Sequence, residues 1–303
     1  MSLYLGIDGG GTKTTCAVGD DVSVLAVETG GGSNVVRLGE QQARAGLLET
    51  IARACTSAQI SPLRVNAVCV GAAGAMHPEV NAAVKQMVQK VMPNASVSVV
   101  GDMVIAMEAA LNEHPGVVAI AGTGSIVYGR NLKGETARAG GYGYRISDEG
   151  SGQWIGRTAI AEVMRAHDLG RETKLLDDIL AEWNLASRDE LVRHANATPA
   201  PNFAELFPVV QKAAKHRDVL ACEVLKKAGA ELAELALIVL HRLWTTEQAV
   251  RVGVAGGVFA NSEHVRRSFY NSLRAAWPAL SVCFKVTDPV VGALWMARRM
   301  GTR

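Results

Sequence analysis

LYLGIDGGGTKTTCAV, residues Leu3 to Val18, is the stretch on which the reading of the chain turns. Tyr4 to Ile7 has strand composition and stops abruptly at Asp8-Gly9-Gly10-Gly11, a run that marks a turn. Thr14, Thr15, Cys16, Ala17 and Val18 follow, and these are mostly β-favouring residues. The pattern predicts strand, glycine loop, strand. A P-loop needs Gly, four residues, then Gly-Lys-Ser/Thr, and a dinucleotide fingerprint has its third glycine at the start of a helix. Here Thr12 precedes Lys13 and no helix follows, so both are excluded. The hairpin is either a structural turn or a cradle in which glycines let a large anion reach peptide N–H groups. Asp8 before the turn and Thr12-Lys13 after it favour a phosphate and metal cradle.

Working outward, 303 residues suggest about two domains. Apolar residues make up 49% and charged residues 20%, an ordinary balance for a packed protein. A net charge of +2 recommends neither nucleic acid nor an anionic membrane as partner. No apolar run reaches the roughly 18 residues of a membrane span, and the chain enters a strand at once, without a signal segment. Five cysteines, Cys16, Cys55, Cys69, Cys222 and Cys283, are too scattered for a zinc site or a disulfide framework. Cys16, Cys69 and Cys283 lie in apolar strand-like runs and are expected to be buried. A reducing, cytoplasmic setting fits this usage.

The chain then alternates. Strands are expected at 22–28, 65–71 and 96–100, helices at 41–55, 81–92 and 103–112, and a flexible loop at Gly30 to Asn34. After His114-Pro115-Gly116 the plan restarts. Val117 to Ala121 runs into Gly122-Thr123-Gly124-Ser125, and another strand begins at Ile126. Val252 to Gly257 likewise repeats the strand-into-glycine pattern of Val68 to Gly71. A supersecondary plan used twice suggests two similar domains facing each other, with two glycine hairpins presented to one polyphosphate. The second half is otherwise helical: 151–167, 171–183, 187–194, 203–215, a long helix at 217–244, and 261–276. A strand at 281–286 and a Pro289-led helix close the chain. Gly229 inside the long helix hints at close approach by a partner or ligand, because glycine there costs about 1 kcal/mol against alanine.

Asp102 stands at a strand end after a glycine and before a helix, the edge where open α/β sheets bind ligands. It is either a helix N-cap or a functional carboxylate; Asp8 holds the equivalent position. Gly140 to Gly152, GGYGYRISDEGSG, is the densest glycine and polar cluster. It reads either as a sugar-binding loop, with aromatic faces and acceptor carboxylates, or as a surface loop before a helix capped by Ser151. The seven histidines show no paired spacing and are assigned no chemistry. Trp244 and Trp295 are expected in the core.

DGGGTKT at 8–14, AGTGS at 121–125, VAGGV at 254–258 and the helix at 289–297 together resemble the phosphate loops, adenosine loop and connecting helix of the actin/heat-shock-chaperone/sugar-kinase superfamily. Within it, GGYGYRISDEGSGQWIGR at 140–157 resembles the N-acetylglucosamine kinase and BadF/BadG/BcrA/BcrD-type ATPase family. The resemblance implies an α/β chain of two actin-like, ribonuclease H-like domains with a central nucleotide and sugar cleft. It implies one domain over 1–113, joined by a C-terminal helix at 289–303, and a second over 114–288 with a helical insertion. It further implies ATP and Mg²⁺ as cofactors. Gly10, Gly11, Thr12, Lys13, Gly122, Thr123 and Gly124 would hold the phosphates, with Gly229, Gly256 and Gly257 against the adenosine. Asp8 would serve the metal, and Asn34, Gly141, Tyr142 and Asp148 the amino sugar, with Asp102 as catalytic base on the sugar hydroxyl.

The implied reaction is phosphorylation of N-acetylglucosamine or glucosamine at the 6-hydroxyl, with a homodimer a common default. Family kinases commonly carry Trp where Tyr142 stands and Gly where Ser147 stands, which leaves open which N-substituent fits. Two other readings belong to the same resemblance: an ATPase driving a partner reductase through an iron–sulfur cluster shared between subunits, and a non-enzymatic sugar sensor.

Overall fold

The computed structural model describes residues 2–246 and 248–301. The last two residues of the expected 289–303 helix therefore lie outside the described residues. The chain divides into two compact units, one formed by 1–114 with 287–303 and the other by 115–286.

The opening hairpin forms as its composition dictates. β1 (Tyr4–Gly9) and β2 (Lys13–Gly19) pair antiparallel, and β3 (Val24–Gly31) adds to β2. Then follow α1 (Val35–Leu38), α2 (Glu40–Ser57), β4 (Ala67–Ala72), α3 (Pro78–Val91), β5 (Ser96–Gly101) and α4 (Asp102–Leu111). β4 lies parallel to β1 and β5 parallel to β4, giving the sheet order β3-β2-β1-β4-β5. Gly30 and Gly31 belong to β3 and not to a loop. Here the glycines serve packing: a Cβ on Gly46 of α2 would meet the Gly31 carbonyl oxygen at 3.0 Å, so helix and strand lie backbone to backbone.

The second unit repeats the plan with β6 (Gly116–Ala121), β7 (Ser125–Arg130) and β8 (Thr136–Gly140) in an antiparallel meander. β8 was not expected, because Thr136 is its only β-branched residue and TARAG contains no run of bulky apolar residues. A helical stretch follows: α5 (Gly152–Asp168), α6 (Lys174–Glu182), α7 (Arg188–Ala195), α8 (Phe207–Lys215) and α9 (Val219–Leu243). β9 (Arg251–Ala255), α10 (Gly257–Asn261), α11 (Glu263–Ala276) and the short β10 (Ser281–Cys283) complete it. The single helix expected at 261–276 starts at Glu263, because Ser262 caps it with its hydroxyl on the Val265 N–H. β9 runs parallel to β6 and β10 parallel to β9, so β8-β7-β6-β9-β10 has the same topology as β3-β2-β1-β4-β5.

α12 (Pro289–Gly301) returns to the first unit. Val290, Ala293, Leu294 and Ala297 pack with Tyr4, Cys69 and Ile105 on one face of the first sheet, while Leu47, Ile51, Val84 and Val88 cover the other. Each fully buried aliphatic side chain of this kind contributes about 1.5–3 kcal/mol. The second unit has its own core, in which Trp277 is fully buried and donates its indole N–H to the Gln248 carbonyl at 2.9 Å. Trp244 and Trp295 are only half-buried. Cys16 and Cys69 are buried as expected, but Cys283 is exposed, since β10 is an edge strand of three residues. Among the described residues no helix is long and apolar enough to cross a membrane.

Candidate active site

In the first unit, sheet pairing places Asp8 and Asp102 on one edge. Gly9 is opposite Ala72 and Ala72 opposite Gly101, so the two strand ends lie two strands apart, about 10 Å between backbones. Gly101, not Asp102, holds the cap position of α4. Asp102 is the first helical residue, and its Oδ1 accepts from the Met103 N–H at 3.0 Å. Burial raises the Asp102 carboxyl above the ordinary range, and that hydrogen bond opposes the rise. Asp8 is pushed up to about 7, mainly by burial and then by the neighbouring charges of Asp102 and Asp288, against the pull of Lys13.

The glycine hairpin is joined to the segment carrying Asn34. The Gly10 carbonyl accepts from the Ser33 N–H at 2.9 Å and the Asn34 N–H at 3.2 Å, and the hydroxyls of Thr14 and Ser33 are 2.8 Å apart. The Asn34 side chain caps α1 by accepting from the Arg37 N–H at 3.1 Å, which leaves its NH₂ to donate elsewhere. Asp8, Gly10, Gly11, Thr12, Lys13, Asn34 and Asp102 thus converge within this unit. Composition reasoning missed two residues beside them. Asp288, directly before Pro289, caps α12 through the Val290 N–H at 3.2 Å and raises Asp8; the Asp-Pro pair at a helix start was its signal. Arg37 lies beside Gly11, where an added Cβ would meet its side chain at 3.1 Å.

The donor set suits a hard cation. Asp8 and Asp102 offer only carboxylate oxygens, and their mutual repulsion, visible in Asp8, is what a divalent ion would relieve. Among the described residues no group of three or more His, Cys, Asp or Glu is arranged around a metal position. Mg²⁺, which keeps several waters and uses one or two carboxylates, fits such a site.

In the second unit, Gly122, Thr123 and Gly124 form the turn between β6 and β7, closed by the Gly122 N–H on the Gly124 carbonyl at 2.9 Å. A Cβ added at Gly122 would meet nothing within 4 Å, whereas one at Gly124 would meet the Asp148 carboxylate at 3.0 Å. The first residues of α5 brace it from behind: the Gly152 N–H donates to the Gly122 carbonyl at 2.8 Å and the Gln153 N–H to Thr123 at 3.2 Å. β9 ends beside it, since Ala255 pairs with Ile120. Gly256 has φ of +94°, and its position against the Ala121 backbone leaves no room for a side chain. Gly257 opens α10 next to it.

The polar run 140–152 is ordered against the same turn. Asp148 is 8% exposed, and its Oδ1 accepts from the Ser125 N–H at 3.3 Å. The Ser125 hydroxyl donates to the Glu149 carbonyl at 2.7 Å, and Arg157 donates to the Tyr144 carbonyl at 2.7 Å. Burial raises the Asp148 carboxyl, opposed first by the Ser125 hydrogen bond. Gly141, at φ +73°, leads to Tyr142, which is 58% exposed with the Arg138 guanidinium 5.1 Å from its ring centre.

Gly229 does not join these residues as expected. It is buried in α9, and a Cβ there would meet the Val265 oxygen at 2.5 Å and the Phe269 nitrogen at 2.9 Å. The close approach that requires glycine is that of α11, made by the chain itself.

Residues 5–297 match the model of the BadF/BadG/BcrA/BcrD ATPase family. An N-acetylmuramic acid/N-acetylglucosamine kinase of Clostridium acetobutylicum is 32% identical over 98% of this chain and 99% of its own. A glucosamine kinase of Vibrio cholerae is 31% identical over 80% of this chain and 81% of its own. Among solved structures, a putative N-acetylglucosamine kinase from Chromobacterium violaceum superposes with a TM-score of 0.80 at 25% identity, covering 98% of this chain and 99% of that one. The repeated five-stranded sheets are those of the two-domain actin-like kinase fold. With the match running nearly end to end, the chain belongs to the BadF/BadG/BcrA/BcrD ATPase family.

Proposed function

We propose that this protein is an ATP-dependent kinase that phosphorylates an amino sugar, N-acetylglucosamine or glucosamine, at the 6-hydroxyl. The observation that carries the reading is the placement of Asp8 and Asp102 on one edge of one sheet, in a chain whose relatives of similar length are amino-sugar kinases.

Phosphoryl transfer is chiefly positioning and charge neutralisation. Gly10, Gly11, Thr12 and Lys13 are assigned to ATP phosphates through backbone N–H groups and the Lys13 ammonium, and the Gly122, Thr123 and Gly124 turn is assigned the same chemistry in its own unit. Gly256 and Gly257 lie along the adenosine, and Gly229 lets α11 pack against α9. Asn34, Gly141, Tyr142 and Asp148 hold the sugar; Asp148 has its Oδ2 to offer, Oδ1 being committed to Ser125. Asp102 takes the hydroxyl proton as the sugar oxygen bonds to the γ-phosphorus and the bond to the β-phosphate oxygen breaks, leaving ADP. Asp8 is the residue that would hold Mg²⁺, partly through water, and the ion when bound supplies neutralisation of the phosphate charge.

A coupled ADP-release assay over a panel of hexoses and hexosamines tests this reading. Turnover confined to amino sugars is expected, with ³¹P and ¹³C spectra of the product placing the phosphate on carbon 6. ADP release that is independent of any sugar would overturn the kinase reading in favour of an ATPase serving a protein partner.

A further inference from the structure

Gly11 is a glycine for a reason other than backbone conformation. It does not hold a positive φ, and the three nearest atoms that an added Cβ would meet all belong to Arg37: Cδ at 3.1 Å, Nη1 at 3.2 Å and Nε at 3.9 Å. The missing side chain lets the guanidinium lie on the hairpin. The base of the arginine is fixed there. Its backbone N–H donates to the Asn34 Oδ1 at 3.1 Å, and the Asn34 N–H donates to the Gly10 carbonyl at 3.2 Å. Behind them Gly32 backs onto the turn, where a Cβ would meet the Gly11 oxygen at 2.5 Å. α1 and the glycine turn therefore form one block, with the Arg37 side chain laid across the turn.

The head of that arginine is uncommitted. In the same unit Arg53 is bound to Glu28, Arg298 to the Asp20 and Ser23 carbonyls, and Arg299 to Glu108 and Glu113. Arg37 is exposed, and among the described residues its side chain makes no ion pair or hydrogen bond. Lys13, the other cation of the hairpin, is shared with the carboxylates of the sheet edge, since Asp8 feels its charge. A guanidinium is planar, always charged and matched to two oxygens of one phosphate. It lies here on a turn whose peptide N–H groups suit an anion. We propose that Arg37 is a phosphate-binding residue that takes oxygens of the nucleotide's polyphosphate chain on the Gly11 side of the hairpin. This rests on the assignment of the hairpin to ATP and adds to it a residue from outside the glycine run. Asn34, assigned to the sugar, caps the same helix, so a single turn of chain serves both substrates.

Calorimetric titration with adenosine, ADP and the non-hydrolysable β,γ-imido analogue of ATP, each with Mg²⁺, tests this on the wild type and Arg37→Gln. Because Arg37 is exposed, the variant should keep the wild-type Tm, so that binding is read on folded protein. It is expected to bind the ATP analogue about tenfold more weakly, the factor that one charge-assisted hydrogen bond supplies. Adenosine, which carries no phosphate, should bind both proteins within about twofold of each other. In turnover, the KM for ATP should rise by a similar factor. Unchanged affinity for the ATP analogue, or an equal loss for adenosine and the analogue, overturns the inference and leaves the kinase reading standing. Failure of the wild type to bind either ADP or the ATP analogue overturns the nucleotide reading and this inference with it.

Discussion

Asp148 accepts a hydrogen bond from the Ser125 backbone N–H at 3.3 Å while holding φ at +67°. The acidic residue of the polar loop is thereby fixed beneath the glycine turn of the second unit. Asn can keep both the acceptor and the left-handed backbone, whereas Ala can keep neither. Asp148→Ala is expected to destabilise the protein by about 1–3 kcal/mol and Asp148→Asn by under about 1 kcal/mol. Urea unfolding of the two variants checks this; equal losses would mean that the charge, not the turn geometry, is what the position supplies.

Asp102→Asn preserves shape and the hydrogen bond to Met103 but cannot accept a proton. A drop in kcat of about 10²–10⁴ is expected, with KM for ATP and sugar little changed. Because burial raises the Asp102 carboxyl and the base must be ionised to act, wild-type kcat/KM should rise with pH through a value above the ordinary aspartate figure of about 3.9. Near-normal kcat in the variant would remove Asp102 from the chemistry.

Asp8 is held near 7 by burial, with Asp102 and Asp288 adding to it. Its folded-state value lies above its unfolded one, so the folded state binds this proton more tightly. The stability it contributes is present below about pH 4 and is lost as pH rises to about 7. Without divalent cations the Tm should fall across that window, and Asp8→Asn should remove this part of the slope. Mg²⁺ added at pH 8 should raise the wild-type Tm more than that of the variant. Parallel pH profiles for the two proteins would show that Asp8 is not the titrating group.

Gly229→Ala separates packing from nucleotide contact. With the added methyl group directed at the Val265 oxygen and the Phe269 nitrogen, a loss of about 1–3 kcal/mol is expected from overpacking. The KM for ATP of the folded variant should stay near the wild-type value. A selective rise in that KM with unchanged thermal stability would restore Gly229 to the nucleotide site.

Much of this architecture was legible from residue order. The glycine turns after β1 and β6, and the strand ends at Asp8, Asp102 and Gly256, are marked by glycines and acids at abrupt ends of apolar runs, because chain reversal constrains residue type locally. β8 was not legible: TARAG is strand only because β7 offers it a partner. Gly30 and Gly31 read as loop because a glycine pressed by a helix and a glycine in a turn are the same letter. Cys283 was misread for a related reason, since apolar neighbours in sequence do not reveal that β10 is an edge.

By itself, then, the amino-acid order determined the repeated plan, the two glycine hairpins and the carboxylates at strand ends, all of them short-range features. Only the tertiary structure decided that Asp288 stands by Asp8, that Asp148 serves Ser125, that Arg138 lies over Tyr142 and that α11 claims Gly229. Apart from Arg138 and Tyr142, which are four residues apart, those pairings join residues distant in the chain. Strand register and helix packing bring them together, and no local preference of the residues encodes which partner each one meets.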